Sequence, residues 1–243
     1  MPRRCTRRLA ALYTIVADLL SGNLRKSGMQ VEVYSDALQL LQRLLLLQQK
    51  SGQTLPLPRW PAVWEGVLAA ANFIATDEMF GVPGVPELGL RLLQVVNQLV
   101  ALGDTVFPNA ATFEGFAYEL VRSHRTFERL YKLGRKQAPQ LVGALKLTRS
   151  LIVQALEQLP QQGDAPSKMS ASEAMAAVRK LQLDVGAEAK AAVTKPPPAR
   201  SQHEQGVFRQ QLLRLLLAHA RSDGSAVPLA FEELSKGALL GAP

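Results

Sequence analysis

The sequence predicts an all-α protein, built either as an α-solenoid or as an irregular bundle of about eight helices. Three observations carry that prediction. Apolar residues recur at 3.6-residue spacing in segment after segment. The composition is 47% hydrophobic with only 6% aromatic residues and many Leu and Ala, the signature of helices packed on helices. No stretch alternates apolar and polar residues over a strand's length, and no Asn-Gly pair marks a hairpin. With 243 residues the chain can bury a core without disulfides, as one long domain or two short ones. No strict internal repeat is visible, which a solenoid of divergent helical pairs also allows.

Taken in order, the first helix follows Arg3, Arg4, Arg7 and Arg8. Leu9, Leu12, Tyr13, Val16 and Leu19 form its buried stripe. The same arginines before the acid-free run from Leu9 to Ala17 also have the outline of a mitochondrial presequence. A second helix is expected from Val31 to Lys50, with Tyr34, Ala37, Leu38, Leu41, Leu44, Leu45 and Gln48 on one face, widened by Leu40, Leu46 and Leu47. The Gly52 to Pro58 break leads into a third helix that ends near Asp77. In it Pro61 suits a first-turn position, and Trp60, Trp64, Val67, Leu68, Ala71 and Ile74 line up. After the loop at Gly81 to Pro86, a fourth helix carries Leu88, Leu92, Val95, Val96, Leu99 and Leu102 until Gly103 stops it. A single fifth helix is expected beyond Pro108, with Phe113, Phe116, Leu120, His124, Phe127 and Tyr131 inward. A sixth, from Ala138 to Leu159, buries Leu141, Leu145, Thr148, Ile152 and Ala155 before Pro160 closes it.

These helices define a domain over residues 1–160. Residues 161–169 read as a flexible linker. A C-terminal helical pair is expected over 170–222. Ser170 with Glu173, and Ser201 with Glu204, have capping-box spacing at the two starts. Within the pair, residues 194–200 hold Pro196, Pro197 and Pro198, an extended spacer. Residues 223–243 read as a tail.

Catalytic equipment is absent from the pattern. His124, His203 and His219 include no i, i+4 pair, and His124 on an apolar stripe reads as a core residue. No P-loop, dinucleotide fingerprint or nucleophile elbow occurs. Gly81, Gly84 and Gly89 resemble a phosphate cradle, but Pro83 and Pro86 remove amide donors it would need. The expectation is therefore no catalytic residue, no metal and no cofactor. Cys5 alone forms neither an internal disulfide nor a zinc site, as in a reducing compartment. The apolar runs Leu38 to Leu47 and Val63 to Ala75 carry Arg43 and Glu65 and fall short of the ~20 residues of a membrane span.

A formal charge of +8 leaves an anionic partner open: nucleic acid, an anionic membrane surface or an acidic protein. Arg122, Arg125, Arg129, Lys132, Arg135 and Lys136 cluster. Glu114, Glu119 and Glu128 are placed to pair with Arg122, Arg125 and Arg129 in a solvated ion-pair face. The neighbouring aromatics point inward, away from any base, so nucleic acid is the less favoured partner. Tyr118, Arg122, Arg125 and Arg129 are the candidate interaction surface. Asp104 and Thr105 are expected to cap the turn before Pro108.

One junction resembles a known family. Val96-Asn97-Gln98-Leu99, then Gly103-Asp104-Thr105-Val106-Phe107-Pro108, then Tyr118-Glu119-Leu120-Val121-Arg122 and Phe127 resemble the C-terminal domain of the armadillo-like helical domain-containing proteins. The likeness extends upstream to Trp60 and Trp64 and to Asn23-Leu24-Arg25-Lys26. It continues more loosely through Ser170 to Val178 and Phe208 to Arg214. Pro196 to Pro198 and the Ala-rich seventh helix depart from the family pattern. The resemblance implies an armadillo/HEAT-like solenoid and a chain like the C-terminal part of a longer one. It also implies a cytoplasmic protein held peripherally on the Golgi that supports Golgi maintenance and secretion. Members resemble scaffolds for a phosphatidylinositol 4-kinase and a large Arf guanine-nucleotide exchange factor. Trp60, Trp64, Gly103, Asp104, Thr105, Pro108 and Phe127 are the motif residues expected to be structural.

Overall fold

The computed structural model describes residues 12–20, 31–52, 60–157 and 193–194. The expected linker, tail and most of the C-terminal helical pair lie outside the described residues. Among those described, every regular element is helical: α1 (12–20), α2 (Val31–Ser51), α3 (Trp60–Ile74), α4 (Asp77–Phe80), α5 (Val85–Ala101), α6 (Gly103–Val106), α7 (Ala110–Arg122), α8 (His124–Gln137) and α9 (Pro139–Glu157).

The central element is α5. It is buried almost all round, through Val85, Leu88, Leu92, Leu93, Val95, Val96 and Leu99, and packs against α2, α3, α4, α6 and α9. A helix apolar on nearly every side has no solvent face to present, so its neighbours must enclose it. Its start is set by Gly84, whose φ of 84° is left-handed backbone, and a Cβ there would lie 3.2 Å from the Val31 side chain. Pro86 then occupies the first turn, where its missing amide costs nothing.

The stripes read from spacing are the buried ones. Tyr34, Ala37, Leu38, Leu41, Leu44, Leu45 and Gln48 of α2 are buried, as are Leu40 and Leu46, while Leu47 is exposed. Leu12, Tyr13, Val16 and Leu19 of α1 belong to the same core. So do Leu141, Leu145, Ile152 and Ala155 of α9.

Four local expectations change. The third helix stops at Ile74, and Asp77–Phe80 makes a separate turn capped by Thr76, whose hydroxyl accepts from the Met79 amide at 3.3 Å. The single fifth helix is two, α7 and α8, broken at Ser123. Gly103 does not itself stop α5: α5 ends at Ala101, Leu102 adopts φ −112° and ψ 9°, and Gly103 opens the one-turn helix α6. Asp104 and Thr105 do not cap that turn. Thr105 instead donates its hydroxyl back to the Leu102 carbonyl at 2.9 Å, and the cap that starts the next helix is Asn109, whose side-chain oxygen accepts from the Thr112 amide at 2.9 Å.

Candidate interaction surface

The motif residues divide into a buried scaffold and an exposed face. Phe107 holds the scaffold together. It is extended (φ −79°, ψ 147°), as the residue before a proline favours. Its ring lies edge-on to Trp60 at 4.8 Å and to Trp64 at 5.9 Å. Phe116 at 5.7 Å and Phe113 at 6.1 Å complete the cluster, and Tyr13 joins through Trp60 at 5.4 Å. Edge-on and tilted pairs of this kind add about 0.5–1.5 kcal/mol each beyond the area they bury. The Gly-Asp-Thr-Val-Phe-Pro segment thus delivers one ring from a tight turn into the space between α3 and α7. Gly103 is required by that approach, because a Cβ there would sit 2.4 Å from the Phe113 ring.

Buried polar groups lock the elements around this cluster. Gln48 accepts from the Tyr13 hydroxyl at 3.0 Å and donates to the Val106 carbonyl, joining α1, α2 and α6. Asn97 donates to the Ala144 carbonyl at 2.8 Å and accepts from the Thr148 hydroxyl at 2.7 Å, joining α5 to α9. The neighbouring Gln98 donates to the Val193 carbonyl at 2.8 Å. The Val96 to Leu99 motif therefore places two amides side by side, one for α9 and one for the chain at Val193. His124 is a core residue, its Nδ1 at 3.1 Å from the Val121 carbonyl, a contact that needs the proton on Nδ1. The sequence had marked Gln48 only as part of a stripe and had given Phe107 no role of its own. A polar residue at a core position of an otherwise leucine-rich stripe was the available signal for the first.

On the outside, Tyr118 is half-buried on α7, and Arg122 at its end pairs with Glu119 at 3.2 Å. Arg125 and Arg129 are exposed on α8, beyond the break at Ser123. Of the ion pairs expected of Glu114, Glu119 and Glu128 with Arg122, Arg125 and Arg129, only Glu119–Arg122 forms. Among the described residues Arg125, Arg129, Lys132, Arg135 and Lys136 hold no ion pair or hydrogen bond. The exposed motif residues Asp104 and Thr105 lie apart on α6, Pro108 is half-buried, and Phe127 is buried beneath α8.

Among the described residues no group of three His, Cys, Asp or Glu could hold a metal ion, and no helix is long and apolar enough to cross a membrane. The sequence model of the family described as armadillo-like helical domain-containing protein 3, C-terminal, matches residues 7–182. The chain belongs to this family. It is 20% identical over 250 residues to armadillo-like helical domain-containing protein 3 of Homo sapiens, covering 97% of this chain and 35% of that protein. The Danio rerio protein of the same name is 21% identical over 129 residues, covering 52% of this chain and 18% of the relative. That of Xenopus laevis is 21% identical over 154 residues, covering 61% and 22%. The chain thus spans about a third of the human relative's length. No solved structure matches it.

Proposed function

We propose that the chain is a non-enzymatic helical scaffold that supports Golgi maintenance and protein secretion by binding trafficking regulators, a phosphatidylinositol 4-kinase and an Arf guanine-nucleotide exchange factor among them. The observation that carries this reading is the family match over residues 7–182, on a chain whose described residues form an all-helical core. Packed helices present extended outer faces, and protein binding is what armadillo-like helical surfaces are suited to. Tyr118, Arg122, Arg125 and Arg129 are the proposed contact face. Their side chains lie outside the core, so binding there does not draw on the contacts that hold the fold.

The test is the location of a tagged copy in its own cells, with proximity labelling of its neighbours in the same sample. A Golgi signal with a lipid kinase or an Arf exchange factor among the labelled proteins supports the scaffold, and loss of those neighbours in R122E/R125E/R129E places the contact. A mitochondrial or nuclear signal overturns it in favour of an organellar or nucleic-acid partner.

A further inference from the structure

We infer that α8, with the adjoining turn of α9, is an electrostatic docking face for a bilayer bearing anionic lipid headgroups. The inference adds a membrane contact to the scaffold reading and rests on that reading for its cellular setting.

Charge distribution comes first. Residues 124–157 carry seven Lys and Arg against two acids, Glu128 and Glu157, in a chain whose formal net charge is +8. On α8 the spacing of Arg125, Arg129, Lys132 and Lys136 puts all four on one helical face, and all four are exposed. The break at Ser123 is what segregates them. It leaves Glu114 and Glu119 behind on α7, where Glu119 is taken up by Arg122, so that α8 keeps Glu128 as its single acid.

The second helix extends the face. From α9, Arg149 lays its guanidinium over the Tyr131 ring, 3.8 Å from the centroid, which fixes its charge at the α8–α9 seam. Lys146 lies one turn away and is exposed. The two helices, joined at Ala138, pack along each other. By helical spacing Tyr131 lies well round α8 from Arg129 and Lys132, so Arg149 and Lys146 add positive charge at the flank of the α8 face.

The chemistry of that face selects among anionic partners. The exposed side chains of α8 are Arg125, Glu128, Arg129, Lys132, Arg135, Lys136 and Gln137, with no apolar or aromatic member. A specific protein interface draws on a desolvated apolar or aromatic anchor, which the proposed protein contact face takes from Tyr118 of α7; along α8 beyond Arg125 and Arg129, the exposed Lys132, Arg135 and Lys136 have none beside them. Single-stranded nucleic acid needs rings to stack on, but Phe127 is fully buried and Tyr131 is covered by Arg149. A duplex held only through its phosphates would use the same charges, and the experiment below separates it from a bilayer. An anionic bilayer asks for neither anchor nor rings. It rewards several Lys and Arg brought together to within a Debye length of one surface.

The experiment is co-sedimentation of the full chain with phosphatidylcholine vesicles containing roughly 30% phosphatidylserine, against vesicles of phosphatidylcholine alone. Binding is expected only to the anionic vesicles. It is expected to be abolished at about 1 M salt, where the Debye length falls to ~3 Å. R129Q/K132Q lowers the vesicle affinity about 30-fold, from the value of two basic side chains at an anionic surface. A melting curve unchanged from the wild type shows that the variant is folded, and R125Q/K136Q serves as a second variant of the same face. Equal binding to both vesicle types, or loss of none of it in either variant, overturns the inference. So does tight binding to duplex DNA or to an acidic peptide with no vesicle binding. Golgi location without vesicle binding sinks this inference and leaves the scaffold standing, while vesicle binding without Golgi location does the reverse.

Discussion

The Tyr13 hydroxyl and the Gln48 side-chain carbonyl, 35 residues apart, are joined by a buried 3.0 Å hydrogen bond, and the same amide donates to the Val106 carbonyl. One glutamine thereby connects the first two helices to the turn that delivers Phe107. Gln48→Leu keeps the apolar stripe but strands two buried groups at once, each worth about 1–3 kcal/mol when left unsatisfied. The expected loss is about 2–4 kcal/mol. Tyr13→Phe strands only the Gln48 oxygen and costs less. Thermal denaturation of both variants checks the order: a Gln48→Leu protein as stable as Tyr13→Phe would show that the amide is not the connection it is described to be.

Gly103→Ala tests the tight approach on the other side of that turn. Its Cβ would lie 2.4 Å from the Phe113 ring, so that ring, which packs tilted against Phe107, must shift. Overpacking of this kind costs about 1–3 kcal/mol. Because the clash is with one ring, truncating that ring relieves it, and G103A/F113A is expected to lose less than the sum of its single variants. Strict additivity in the denaturation midpoints would place the cost elsewhere.

The contrast between stripe and turn explains how far the sequence could be read. Leucines of α2 and α5 recur at helical spacing over four turns or more, and burial follows from periodicity alone, with Leu47 as the outward exception. The break at Ser123 is invisible to the same reasoning. Phe113, Phe116, Leu120, His124 and Phe127 keep helical intervals straight across it, and serine is no strong breaker. Its signal is tertiary: α7 and α8 both pack against α3 and α9, but α7 divides its contacts between the two while α8 lies mainly along α9, so their inward faces are turned differently. Part of the ion-pair face changes for the same reason, since Glu119 and Arg125 sit on two helices, whereas Glu128 shares α8 with Arg125 and Arg129 and still pairs with neither. The charges of the candidate surface were legible as residue types, but their segregation from the acids was not.

Alkaline pH probes the two tyrosines enclosed by the first helices. Burial raises the hydroxyls of Tyr13 and Tyr34 above the usual phenolic range near 10, and that of Tyr13 far above it. The unfolded chain releases these protons from pH ~10 upward while the folded chain keeps them, so the unfolded state binds fewer protons there and gains relative stability. The contribution is complete below pH ~10 and is lost above it, at about 1.4 kcal/mol per pH unit for Tyr13, with Tyr34 adding in the same direction. Among the described residues the Tyr34 hydroxyl has no hydrogen-bond partner. Tyr34→Phe is therefore expected to be neutral or mildly stabilising at pH 7, by up to about 1 kcal/mol, and to flatten the alkaline fall. Urea unfolding between pH 7 and 11 reads both effects, and a Tyr34→Phe protein with an unchanged alkaline slope would contradict the assignment.

The exposed face should be separable from stability. Arg122 is 65% exposed and pairs with Glu119 one turn away on its own helix, the kind of contact that side-chain entropy and solvent screening reduce to a few tenths of a kcal/mol. Arg125 and Arg129 have no partner among the described residues, and like charges four apart on one helix repel mildly. Arg122→Ala is therefore expected to leave the unfolding free energy within about 0.5 kcal/mol of the wild type. Arg129→Gln, which relieves repulsion along α8, is expected to match or slightly exceed the wild type, the gain being largest at low salt and vanishing as salt screens the face. A destabilisation of about 2 kcal/mol or more by either change would mean that these cations hold the fold together. Loss of a labelled neighbour or of vesicle binding could then no longer be read as loss of a contact surface.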